Sequence, residues 1–191
     1  MMTAFLICIA MAAVPDSLLD ESVFQRTIEQ NTDFDIQDAE LLLNIGIYHR
    51  INVYRVEKGK STLRWNDNLM NTAGLHSKEM YERDFFSHVN PKNKALRNVD
   101  DRLKYAKADF NTFGENIAFF DEPLPDEKTL TNELLQQWID GIFTQWRTSK
   151  GHRKNMLRDA FKQTGISCYL SVENVNQTHR VIVHATNVFT D

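Results

Sequence analysis

The C-terminal stretch constrains the fold more than any other part of the chain. Residues 165–172 and 180–189 are β-type runs with alternation in parts, joined by the polar segment 173–178. Two such runs with a short polar link read as an antiparallel hairpin. The chain before it is mostly helical in period. Leu42, Ile45, Tyr48 or His49, Asn52 with Val53, and Val56 recur at steps of three and four until Gly59 stops them. A second helix, capped by Asn66 or Asp67, carries Leu69, Ala73, His76 and Met80 on one face and ends near Asp84. A third, from Leu130 to Trp146, has a broad apolar face that includes Trp138, and both tryptophans are expected in the core. Residues 115–120 are short and apolar enough for a strand, with a loop expected from Asp121 to Asp126. Residues 92–111 are charged and at best partly helical, and 152–157 open a short turn. Helices flanking an antiparallel sheet make an α+β layered domain.

A chain of 191 residues fills one core comfortably and two poorly, so one domain is expected. The net charge is -4 and the basic residues do not gather into a block, which leaves no electrostatic footprint for nucleic acid. Residues 1–15 hold an apolar run of signal-peptide length, too short for a spanning helix and without a basic start. They are read as a signal peptide or an N-terminal anchor, with no other membrane span. Residues 16–38 are polar and read as a spacer, which leaves 39–191 for the domain. Once the leader with Cys8 is removed, Cys168 stands alone, and stability rests on packing rather than disulfides.

His88, Glu115 and His152 attract attention through local context. Each borders a break, at Pro91, Gly114 or Gly151, and each is a ligand or acid–base type. Two imidazoles and a carboxylate are the protein ligands of many catalytic zinc sites; the alternative is three satisfied boundary residues. His76 shares a helix face with apolar residues, so it is either a buried, hydrogen-bonded histidine or part of a cleft floor. Asn116 is expected to tie loop backbone through its amide, and Arg153 to do likewise or to pair with an acid. His49, His179 and His184 have no motif around them and are taken as structural or exposed.

The segments Asn52-Val-Tyr-Arg55, Leu63-Arg-Trp65, His76-Ser-Lys-Glu-Met80, Phe85-Phe-Ser-His88, Gly114-Glu-Asn-Ile117, Trp146-Arg-Thr-Ser149, Gly151-His-Arg-Lys-Asn-Met-Leu157 and Thr186-Asn-Val-Phe189 occur in that order. In this the chain resembles the CAP superfamily of cysteine-rich secretory, antigen five and pathogenesis-related one proteins, also called SCP-like extracellular proteins, in its bacterial form. The resemblance implies a three-layer α-β-α sandwich with a central antiparallel sheet, and a secreted or cell-envelope location. It also implies a cleft holding two histidines and two acids. His88, Glu115 and His152 match three of these positions. Ser149 stands where the eukaryotic pattern has a second glutamate, a serine that bacterial relatives often share.

Three functions follow as expectations. The favoured one is a monomeric module that binds an envelope component, a lipid or a protein partner, without a catalytic role. The second is a metal-assisted hydrolase of peptides or esters, with zinc or another divalent cation on His88 and His152 and Glu115 as ligand or general base; it lacks the HExxH helix of zinc peptidases. The third uses Ser149 as nucleophile and His152 as base, although no GxSxG elbow is present.

Overall fold

The computed structural model describes residues 13–124, 130–175 and 178–191. The expected hairpin forms as β5 (Gln163–Val175) against β6 (Thr178–Thr190), antiparallel along its whole length. A third long strand, β3 (Phe113–Pro123), pairs antiparallel with the other side of β6, and a two-residue strand, β2 (Arg64–Trp65), adds parallel to β5. The order is therefore β2-β5-β6-β3, with the hairpin in the middle. Strand β3 runs further than expected, through Asp121 to Pro123. Proline is tolerated there because β3 is an edge and its missing N–H faces away from the ladder.

Period-two alternation sends the two sides of the hairpin into different layers. Ile166, Cys168, Leu170, Val181, Val183 and Ala185 join a core with α2 (Ile36–Glu57) and α5 (Asn132–Thr148), in which Trp138 and Trp146 are buried as expected. On the opposite face lie α3 (Asp67–Glu82), capped by Asn66, and α4 (Val99–Tyr105), where Leu69, Ala73 and Leu103 pack with Val188. The three-layer α-β-α sandwich is thus present. Two glycines permit its close approaches. A Cβ on Gly165 would lie 2.0 Å from the Met70 backbone nitrogen, and one on Gly46 would lie 2.3 Å from the Ile139 side chain where α2 meets α5.

Two expectations need correction. Residues 16–38 are no spacer. A 3-10 turn at Asp16–Leu19 leads into α1 (Glu21–Gln30), whose N-terminus is capped by Asp20. Phe24 and Ile28 of α1 are buried in the main core, and the Phe24 ring stands 5.1 Å from that of His49. The strand β1 (Asp33–Phe34) then pairs with β4 (Leu130–Thr131). The domain packs from Val14 onward. The second correction concerns 152–157, which lie mostly in a two-turn helix, α6 (Lys150–Met156), rather than opening a short turn. The leader falls largely on residues 1–12, outside the described residues. Among the described residues no helix is long and apolar enough to cross a membrane.

Candidate functional site

The site forms where the edge of the sheet meets the loop after α3, helix α4 and helix α6. Alternation along β3 turns Glu115 toward the α3 and α4 layer, where its side chain is 2% exposed. Its Oε2 accepts from Nη2 of Arg102 at 2.6 Å, and its Oε1 accepts from Nδ1 of His88 at 2.9 Å. Since an ionised carboxylate can only accept, the His88 proton on this side sits on Nδ1. Nε2 of His88 is left facing outward on a half-exposed ring. The His152 ring, on α6, lies 6.2 Å from the His88 ring at an interplanar angle of 65°.

Arg102 is the functional residue that sequence reasoning missed. It is fully buried, and besides Glu115 it donates to the carbonyls of Leu96, Arg97 and His88. One guanidinium thus fixes both the acid and the backbone of the loop that presents His88. In sequence it lies within Asp100-Asp-Arg-Leu-Lys104, a run that looks like any solvated helix face. The only local hint is its neighbour Leu103, also buried.

Burial alone would push the Glu115 carboxyl up. The hydrogen bond from His88 and the charge of Arg102 outweigh that, and its pKa falls below the usual glutamate value. His76 forms the floor. Its ring is fully buried, its Nε2 donates to the Ser87 carbonyl at 2.9 Å and lies 3.9 Å from Glu115 Oε1. Burial, ahead of the opposing pull of Glu115, holds its pKa down at about 4, so at neutral pH the contact with Glu115 is not an ion pair. His76 is thus a buried, hydrogen-bonded histidine that lies directly against Glu115. The pKa of His152 is also lowered, by burial first and by His88 second.

Amides lock the rest of the site. Asn116 donates to the His152 carbonyl at 3.2 Å, the backbone tie expected of it. Asn155 donates to the Glu115 carbonyl and to Asn116 Oδ1, fastening α6 to β3. Arg153 caps α5 through the Arg147 carbonyl at 2.9 Å, and so acts on backbone rather than on an acid. Ser149 is the N-cap of α6, and its hydroxyl accepts from the backbone N–H of His152 at 3.5 Å. That contact runs to the main chain of His152.

The donor set can be tested against a metal ion. Each carboxylate oxygen of Glu115 already accepts a hydrogen bond, one from His88 and one from the Arg102 cation. Among the described residues no group of three His, Cys, Asp or Glu side chains stands together as a metal-holding set. What remains is a pair of imidazoles with a carboxylate behind one of them, the relation that commonly orients a metal-binding histidine.

Comparison with known proteins bears on the same region. Residues 48–185 match CAP, described as the cysteine-rich secretory protein family. In Bacillus subtilis (strain 168), the uncharacterized membrane protein YlbC is 32% identical over 117 residues, which are 60% of this chain and 28% of that protein. The uncharacterized protein YkwD of the same organism is 28% identical over 115 residues, 60% of this chain and 38% of that one. The chain therefore matches well under half the length of these relatives. Among solved structures, an extracellular SCP-domain protein from Bacillus anthracis str. Ames superposes with a TM-score of 0.56 at 23% identity, over 90% of this chain and 50% of that one. An outer surface protein from Borrelia burgdorferi gives 0.54 at 15% identity, over 82% and 95%. At such identities the likeness concerns the fold alone.

Proposed function

Since this chain belongs to the cysteine-rich secretory protein family, we propose that it is an extracytoplasmic binding module whose ligand seats on the His88, Glu115 and His152 cleft. The observation that carries this reading is the commitment of Glu115. Its carboxylate is held ionised by Arg102 and spent on orienting His88, so Glu115 serves to position an imidazole rather than to meet a ligand directly. Ser149, for its part, is used as the helix cap of α6, its hydroxyl turned to the His152 backbone N–H. What the cleft does offer is two presented imidazoles on a rigid, amide-locked base. Such an arrangement suits recognition, because pre-ordered groups lose little entropy on binding. The apolar leader of the sequence, and the extracellular and outer-surface descriptions of two proteins of like fold, support a location outside the cytoplasm.

The test is cosedimentation of the purified chain with three separated envelope preparations: cell-wall sacculi, vesicles of total membrane lipid, and reconstituted membrane proteins. One preparation is expected to retain the wild type and to retain His88→Ala/His152→Ala at least tenfold less. Equal retention of the double variant would place binding elsewhere on the surface.

The outward Nε2 of His88, backed by Glu115, favours one second reading, in which His88 and His152 hold a divalent cation. Such an ion would supply Lewis-acid character. The chain's own part is to hold the two rings, with Glu115 fixing the His88 tautomer. Zinc calorimetry at neutral pH checks it: binding lost in His88→Ala and His152→Ala supports it, and absence of heat in the wild type removes it.

A further inference from the structure

A second cavity of about 550 Å³ lies on the far side of Phe85 from this cleft, between the C-terminal end of α3 and the outer parts of β3 and β6. Phe85 separates the two, since its ring also packs 5.8 Å from His76. Its volume falls within the range of small-ligand sites. The aromatic rings along it form a continuous series. Phe86 stands 5.9 Å from Phe119, Phe119 stands 4.9 Å from His184, and His184 stands 6.1 Å from Tyr81. Phe86 is 52% exposed and Phe119 41%, an unusual outlay of aromatic surface that nothing in the fold requires. Glu82, Asp84 and Glu173 also line the cavity, and no lysine or arginine does.

Two details separate this from an ordinary apolar dent. His184 is 6% exposed, yet its Nδ1 meets no partner among the described residues. Asp84 sits at φ 51, the left-handed position just after α3. Phe85 N–H returns to the Met80 carbonyl and Asp84 N–H to the Tyr81 carbonyl, the paired bonds that close a helix and that normally select glycine. An aspartate there costs backbone stability, and what it adds is a carboxyl group on the cavity.

We propose that this cavity binds a small organic ammonium ion with an apolar body, the ammonium against Asp84 and Glu173 and the body between Phe86 and Phe119. Aromatic faces attract a cation through their quadrupole, and the carboxylates add a charge complement that a neutral or anionic ligand of the same shape would not find. The ammonium can come from a free amine or from a lysine side chain of a peptide, and the probes below distinguish the two.

The experiment is NMR titration of the full chain with phenethylammonium, with its neutral counterpart 2-phenylethanol, and with N-acetyl-lysinamide. Phenethylammonium is expected to shift the Phe86 and Phe119 ring resonances and to bind at least fivefold more tightly than 2-phenylethanol. Asp84→Gly restores the residue the backbone prefers, so it keeps or raises the thermal midpoint while weakening phenethylammonium at least fivefold; Glu173→Gln weakens it similarly. Response to phenethylammonium alone assigns a free amine, and response to N-acetyl-lysinamide as well assigns a peptide side chain as an accepted source. Equal affinity for the alcohol, unchanged affinity in Asp84→Gly, or no response to either cation overturns the proposal.

Discussion

Replacing Glu115 by glutamine keeps the shape of the side chain and removes its charge, which isolates the worth of the pair with Arg102. In the native site two donors, Nη2 of Arg102 and Nδ1 of His88, each have a carboxylate oxygen of their own. Glutamine offers one carbonyl oxygen and two N–H groups, so the donors compete and one is left facing another donor. His88 is half exposed and can turn to water; Arg102 is fully buried and cannot. Removing one partner of a buried ion pair costs about 3–5 kcal/mol. Arg102 keeps its three carbonyl acceptors, which points to the lower end, about 3 kcal/mol. For a domain of this size each kcal/mol moves the melting midpoint by about 2–4 °C, so Glu115→Gln should lower it by about 8 °C. Urea unfolding followed by the fluorescence of the buried Trp138 and Trp146 measures the loss directly. The companion is Arg102→Met/Glu115→Leu, an apolar pair of similar bulk, which should lose less than its two single changes added together because neither charge is then stranded, although the carbonyls of Leu96, Arg97 and His88 lose their donor. A loss below about 1 kcal/mol in Glu115→Gln, or a double variant as unstable as the two single changes added together, would refute this account of the pair.

Acid should destabilise the fold in a defined window. Burial holds His76 and His184 at about 4 against an ordinary 6.5. Between those values the unfolded chain binds more protons, so stability falls as pH drops, with a slope approaching about two protons. Urea midpoints from pH 7 to 4 test this; a flat profile contradicts it, and His184→Phe should remove about one proton of slope. Ser149→Ala should cost about 0.5–1 kcal/mol as a lost helix cap, and a fluorophosphonate probe should leave Ser149 unlabelled; labelling would restore the nucleophile reading. Ile28→Ala should cost about 2–4 kcal/mol as a core truncation, measured by urea unfolding, whereas a spacer residue would show almost no change.

Local periodicity made most of the fold legible. The helices over Leu42, Leu69 and Trp138 and the C-terminal hairpin each announce themselves within a dozen residues, because burial of one face is written at fixed steps. The helix α1 escaped because its buried face rests on little more than Phe24 and Ile28 in a polar stretch, and its partners lie in α2. The histidines and Glu115 were legible through ordered motifs, not through spacing. Arg102 was not, since an arginine in a charged run looks the same whether it faces water or a carboxylate that lies 13 positions later in the sequence. Asn155 shows no role within its motif for the same reason: its partners, Glu115 and Asn116, belong to β3, far from α6 in sequence.

The strand order β2-β5-β6-β3 also dictates when the chain can become a protein at all. The two inner strands, against which α2 and α3 bury their faces, come after every helix of the described residues, and β3 has no sheet partner until β6 exists. A nascent chain emerging from the ribosome therefore carries α2 and α3 without the sheet faces that cover them. It stays open until the hairpin arrives and all the long-range pairings close together. Until β6 is made, such a polypeptide remains threadable, which is the condition a translocation channel demands of its cargo.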